Sequence, residues 1–172
     1  MLSYIPVYRR GGTSEDDIHM EELTLEELIK YTVRIQQDSF LFYRKAARIL
    51  EGSAMKPVTD ELADFKADQL KRLKDLLGQY ATAVESIDYM VDVDTDLFDE
   101  ILDNGNIPAQ ATPRDVLVLS LNREDKTAMT YSMILGLPDL EERADRLYGT
   151  LLEDEREKIG ILRKRIEETV HR

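Results

Sequence analysis

The stretch "ELADFKADQLKRLKDLL", residues 61–77, decides how this chain is read. Its apolar residues return every three or four positions, the spacing of one helix face, so Leu62, Leu73 and Leu76 fall on a single stripe. Two slots of that stripe, one turn apart, hold Lys66 and Gln69. Burying a polar group without a partner costs about 1–3 kcal/mol, and an unpaired charge costs considerably more. A soluble helix that aims a lysine and a glutamine at its own core therefore needs partners for them.

The helical period recurs in three further segments. The first opens at "LTLEELI", with Thr24 as the expected N-cap, Glu27 as its capping-box partner and Leu23 and Leu28 as a hydrophobic staple. It runs to about Glu51–Gly52. The second, which contains the opening stretch, follows Pro57 and reaches Tyr80. The third starts at "ATPRD", with Thr112 as cap, Pro113 at the first helical position and Asp115 in the first turn, and stops near Gly136. The fourth is expected to begin around Pro138 and to continue almost to the C-terminus. Long helices with few strand-like alternations predict an all-α, antiparallel four-helix bundle. Short links after Gly52 and at "GLPD" predict two hairpins. The stretch 83–111 is long enough to cross the bundle, with a short helix expected near Asp96–Leu102. Residues 1–23 read as an N-terminal arm and 24–172 as one bundle domain.

Four core stripes follow from this reading. Helix 1 presents Ile29, Val33, Gln36, Phe40, Tyr43, Ala47 and Leu50, and helix 2 presents Leu62, Lys66, Gln69, Leu73, Leu76 and Tyr80. Helix 3 gives Leu117, Leu121, Glu124, Ala128, Tyr131 and Leu135, and helix 4 gives Tyr148, Leu151, Glu155, Lys158 and Leu162. Each stripe is apolar except in one layer, and the breaks fall at similar depth. The alternative is a stripe rotated by one position, with Lys66 and Lys158 facing solvent. The halves also resemble each other: Gln36 and Glu124 each precede a tyrosine, Tyr43 or Tyr131, by seven residues. "LADFKADQLKRL" overlays "LLEDEREKIGIL", which pairs Lys66 with Glu155 and Gln69 with Lys158.

Composition narrows the function classes. With 23 Lys plus Arg against 35 Asp plus Glu, the formal net charge is −12, which disfavours nucleic acid and anionic membranes as partners. The absence of cysteine removes disulfides, thiolate metal sites and cysteine nucleophiles. Both histidines, His19 and His171, lie near the ends of the chain, away from the stripes. No apolar run of the ~18 residues needed to span a bilayer appears, and no signal-peptide pattern opens the chain, so the expected location is cytoplasmic. "DVDTD", residues 92–96, starts like a calcium loop, but Leu97 and Asp103 stand where its glycine and closing glutamate belong.

On the residues Gln36…Phe42–Tyr43, Glu124…Tyr131 and the two overlaid helices, the chain resembles the ferritin-like superfamily, in particular its rubrerythrin-type branch, over about residues 24–168. That resemblance implies a glutamate on helices 1 and 3 and Glu-x-x-His on helices 2 and 4, which together hold two irons. Glu124 and Glu155 stand at two of these ligand positions as candidate metal residues. Gln36, Lys66, Gln69 and Lys158 stand at the other four and complete a vestigial layer. The resemblance therefore implies a degenerate di-iron site in which two lysines balance two glutamates, with no cofactor and no catalytic residue. It also implies a structural or interaction role, as a homodimer or with another protein partner. The rival expectation is an iron-binding oxidoreductase that recruits Asp38, Asp68 or Glu157 beside Glu124 and Glu155. Tyr43 and Tyr131 are read as core tyrosines bonded into the layer, although a neighbouring iron pair would make them redox-active. The two glutamates could also serve general acid–base chemistry.

Overall fold

The computed structural model describes residues 4–8, 20–80, 107–108 and 110–170, with side chains described over 25–79, 107–108 and 110–169. The long crossover, the helix expected at Asp96–Leu102 and the acidic run at 92–96 lie outside the described residues. Four helices form the body of the protein: α1 (Leu25–Ile49), α2 (Lys56–Tyr80), α3 (Pro113–Leu135) and α4 (Glu142–Val170). None of the described helices is long and apolar enough to cross a membrane.

The residues read as an arm contain two strands, so the all-α expectation holds for the bundle and not for the lead. β1 (Tyr4–Tyr8) pairs antiparallel with β2 (Met20–Thr24), with Tyr4 opposite Thr24 and Tyr8 opposite Met20. "YIPVY" is rich in the aromatic and β-branched residues that favour extended backbone. Pro6 is tolerated because a two-stranded ribbon consists only of edges, where a missing N–H need not break a ladder.

Local chemistry sets the helix ends. α1 starts one residue after Thr24, and Glu26 and Glu27 place negative charge on its first turn. The α1–α2 turn passes through Gly52 at φ 79°, a left-handed conformation that a Cβ would oppose. At α3 the Thr112 hydroxyl accepts the Asp115 N–H at 3.2 Å, while the Asp115 carboxylate accepts the Thr112 N–H at 2.9 Å, a reciprocal capping box. α4 begins four residues later than Pro138, since Asp139 adopts φ 58° and interrupts the helical path.

Packing follows the expected hairpins, α1 against α2 and α3 against α4. Between the hairpins, Gln36 meets Tyr131 and Tyr43 meets Glu124, so α1 and α3 run antiparallel. Glu61 meets Lys158, Lys66 meets Glu155 and Gln79 meets Arg143, so α2 and α4 do too. Two apolar clusters occupy the ends of the bundle. One gathers Ile29, Val33, Leu73, Leu76, Tyr148 and Leu151; the other gathers Phe42, Ala46, Leu62, Val116, Leu117 and Leu162. Most of the predicted stripe is buried, but Phe40, Leu121 and Leu135 are only half-buried, and the Tyr80 side chain lies outside the described residues.

Candidate functional site

Between the two apolar clusters lies the polar layer. Gln36, Lys66, Gln69, Glu124 and Glu155 are each 0% exposed, so five of the six expected members share the bundle interior. The rotated-stripe alternative fails at Lys66. Its ammonium makes an ion pair with Glu124 Oε2 and donates to Glu155 Oε1 at 2.6 Å. Tyr43 Oη donates to Glu124 Oε1 at 2.5 Å, and Gln36 Nε2 donates to the Tyr131 hydroxyl. These last two bonds are reciprocal: the polar residue of α1 meets the tyrosine of α3, and the tyrosine of α1 meets the polar residue of α3. The likeness between the two halves of the sequence is thus written into the contacts between them.

Lys158 does not belong to the buried layer. Its side chain is 15% exposed, its ammonium reaches Glu61 at 3.2 Å, and it lies 5.1 Å from the centre of the Phe65 ring. A lysine at the margin of the core can lay its stem on apolar surface and direct its ammonium outward, here to Glu61, which is itself 64% exposed. The expected balance of two lysines against two glutamates is therefore wrong, since the layer holds one ammonium for two carboxyl groups.

Protonation supplies the missing balance. Burial and then the neighbouring Glu124 charge push the Glu155 carboxyl well above the usual carboxylate range, against the pull of Lys66. Burial pushes Glu124 up as well, but Lys66 and the hydrogen bonds from Glu155, Lys66 and Tyr43 outweigh it and leave Glu124 below that range. Burial would lower the Lys66 pKa, yet the two glutamates more than offset this and raise it. These directions favour Lys66 as ammonium and Glu124 as carboxylate, with Glu155 holding its proton to higher pH than a free glutamate does. Burial, followed by the nearby glutamates, also raises the Tyr43 and Tyr131 phenols, which keep their protons and act as hydrogen-bonding groups. The Gln69 amide, and Oε1 of Gln36, have no hydrogen-bond partner among the described residues.

A pair of divalent irons does not fit this donor set. A protonated lysine has no lone pair for a metal and repels one at short range, and Lys66 contacts both of the carboxyl groups that a metal would use. Among the described residues no three His, Cys, Asp or Glu side chains converge as a metal-binding group. Asp38 is half-buried beside Arg123, with burial raising its pKa against the pull of Arg123 and Arg34. Asp68 pairs with Arg72 at 2.9 Å, and Glu157 is exposed. These residues are not brought together with the buried layer.

Two contributors escaped the sequence reading. Thr32, next to the stripe residue Val33, shares a 2.9 Å hydrogen bond with Tyr148 across the hairpin seam. Arg123, one residue before Glu124, sits 4.8 Å from the Phe42 ring centre and donates to Ser39 at 3.4 Å. Neither has a motif; each was findable only as a polar residue adjoining a stripe position. Comparison with family models, with curated proteins and with solved structures returns no significant match.

Proposed function

We propose that this chain is a ferritin-like, rubrerythrin-type bundle in which a lysine-centred hydrogen-bond layer has replaced the di-iron centre, and that it acts as a non-catalytic structural or interaction protein. The observation that carries this reading is Lys66, 0% exposed and bonded to both Glu124 and Glu155. The ammonium supplies the positive charge that metal ions would otherwise bring to the carboxyl groups. Such a layer orders the hairpins against each other without need of a reaction, because its members join α1 to α3, α2 to α4 and α2 to α3. In this reading the protein works in the cytoplasm as a homodimer or with another protein.

The test is elemental analysis after anaerobic loading with ferrous iron and desalting, with an intact rubrerythrin as control. Less than about a tenth of an iron per chain is expected, since a buried ammonium excludes a divalent cation at short range. One or two irons per chain would overturn the proposal in favour of an iron-dependent oxidoreductase. A companion variant carrying Gln36→Glu, Lys66→Glu, Gln69→His and Lys158→His is expected to take up iron. If it folds yet binds none, the assignment of these positions to the ferritin-like ligand pattern is wrong.

A further inference from the structure

Away from the layer, the seam between α2 and α4 widens into a shallow, solvent-open groove of about 450 Å³ near the C-terminal end of α2 and the N-terminal end of α4. Three guanidinium groups line it, Arg72 from α2 and Arg143 and Arg146 from α4, in a chain whose net charge is −12. Only one lining side chain, Asp75, is acidic, and two, Leu76 and Leu147, are aliphatic.

The three arginines are engaged differently. Arg72 uses Nη2 for Asp68 at 2.9 Å and Asp154 at 2.8 Å, while its buried Nε has no hydrogen-bond partner among the described residues. Arg146 is held by Glu142 at 2.9 Å in a pair that is 66% and 81% exposed, a contact of little strength in water. Arg143 reaches across the seam to the neutral Gln79 Oε1 at 2.7 Å and makes no ion pair among the described residues. That bond fixes one edge of its planar fork and leaves its other donors and its whole charge for an acceptor, the arrangement that suits a planar oxyanion.

We propose that this groove binds a small aliphatic carboxylate, with the carboxylate on Arg143 and its neighbours and the apolar group against Leu76 and Leu147. Asp75 on the same wall disfavours a dianion such as phosphate, and the leucines leave a bare oxyanion without its share of apolar contact. The site is independent of the buried layer, so it stands or falls separately from the metal-free reading. A free short-chain acid and the C-terminus of a chain ending in leucine present the same chemistry.

The experiment follows the arginine Nε–H signals by NMR while isovalerate, acetyl-leucine, isovaleramide or inorganic phosphate is added to the full chain. Saturable shifts at Arg143 with both carboxylates are expected, with affinity at least tenfold weaker for isovaleramide, for phosphate and in Arg143→Gln. Arg143 is exposed, and unchanged circular dichroism will show that the variant remains folded. Tighter binding of acetyl-leucine than of isovalerate assigns the site to a chain terminus, and the reverse assigns it to a free acid. Non-saturable shifts, equal binding of isovaleramide, tighter binding of phosphate, or full binding by Arg143→Gln would each overturn the proposal.

Discussion

The middle of this bundle and its two ends are built from the same helices with the same period, yet they are held by opposite means. At the ends, Leu73 and Leu151 on one side and Leu62, Leu117 and Leu162 on the other exclude water through non-directional contact. In the middle, Lys66, Glu124, Glu155, Tyr43 and Gln36 depend on named partners at hydrogen-bond distance. The difference teaches that the ends respond to lost volume, whereas the middle responds to a lost partner even when volume is kept.

That contrast is broken most directly at Lys66. Lys66→Met keeps much of the side-chain bulk but strands a buried carboxylate, and a loss of about 3–5 kcal/mol in urea unfolding is expected. Replacing the set together, Lys66→Met with Glu124→Leu and Glu155→Leu, removes every stranded charge and is expected to recover most of that loss. A small effect of Lys66→Met alone would mean that the layer is not ionised. At the ends, Leu73→Ala leaves a cavity in a fully buried position and is expected to cost about 2–5 kcal/mol, in proportion to the cavity that remains.

The pH dependence sharpens the comparison further. Above the ordinary glutamate value of 4.5, unfolded Glu155 is ionised while folded Glu155 keeps its proton, so the native state binds more protons. Its contribution therefore makes stability fall as pH rises through that window, by up to about 1.4 kcal/mol per pH unit. Glu124 works with the opposite sign: its contribution is present above 4.5 and is lost as pH falls through its lowered folded value. Glu155→Gln should flatten the decline above pH 4.5 and leave the acid limb, and an unaltered profile in that variant would refute the raised pKa of Glu155. Tyr43→Phe removes one hydrogen bond to a charged acceptor and should cost about 1.5–3 kcal/mol at neutral pH, at the upper end if no water replaces the hydroxyl. Lys158→Ala removes the pair with Glu61, the contact with the Phe65 ring and the packing of the stem but strands no buried charge, so it should cost less than Lys66→Met, on the order of 1 kcal/mol.

Much of this was legible in the residues. Thr112, Pro113 and Asp115 announce the start of α3 because a capping box is local chemistry. The start of α4 was misplaced because Pro138 suits a first helical turn, and nothing in "GLPD" reveals that Asp139 turns left-handed. Gln36, Lys66, Gln69, Glu124 and Glu155 could be placed in the interior because a stripe repeats over several turns. Lys158 sits on the same stripe and leaves it, since a long flexible side chain at the edge of the core takes its environment from what lies beside it. That environment depends on Glu61 and Phe65 of another helix, whose distance no local pattern encodes.

The sequence by itself determined four amphipathic helices, two hairpins and a layer of polar residues at one depth, because periodicity and capping act within a few residues of each other. Only the tertiary structure decided that one lysine rather than two sits in that layer, that burial beside Glu124 raises the Glu155 pKa, and that arginines from two hairpins line one groove. Those outcomes rest on distances between side chains on different helices, and electrostatics and desolvation in a packed interior vary steeply with such distances.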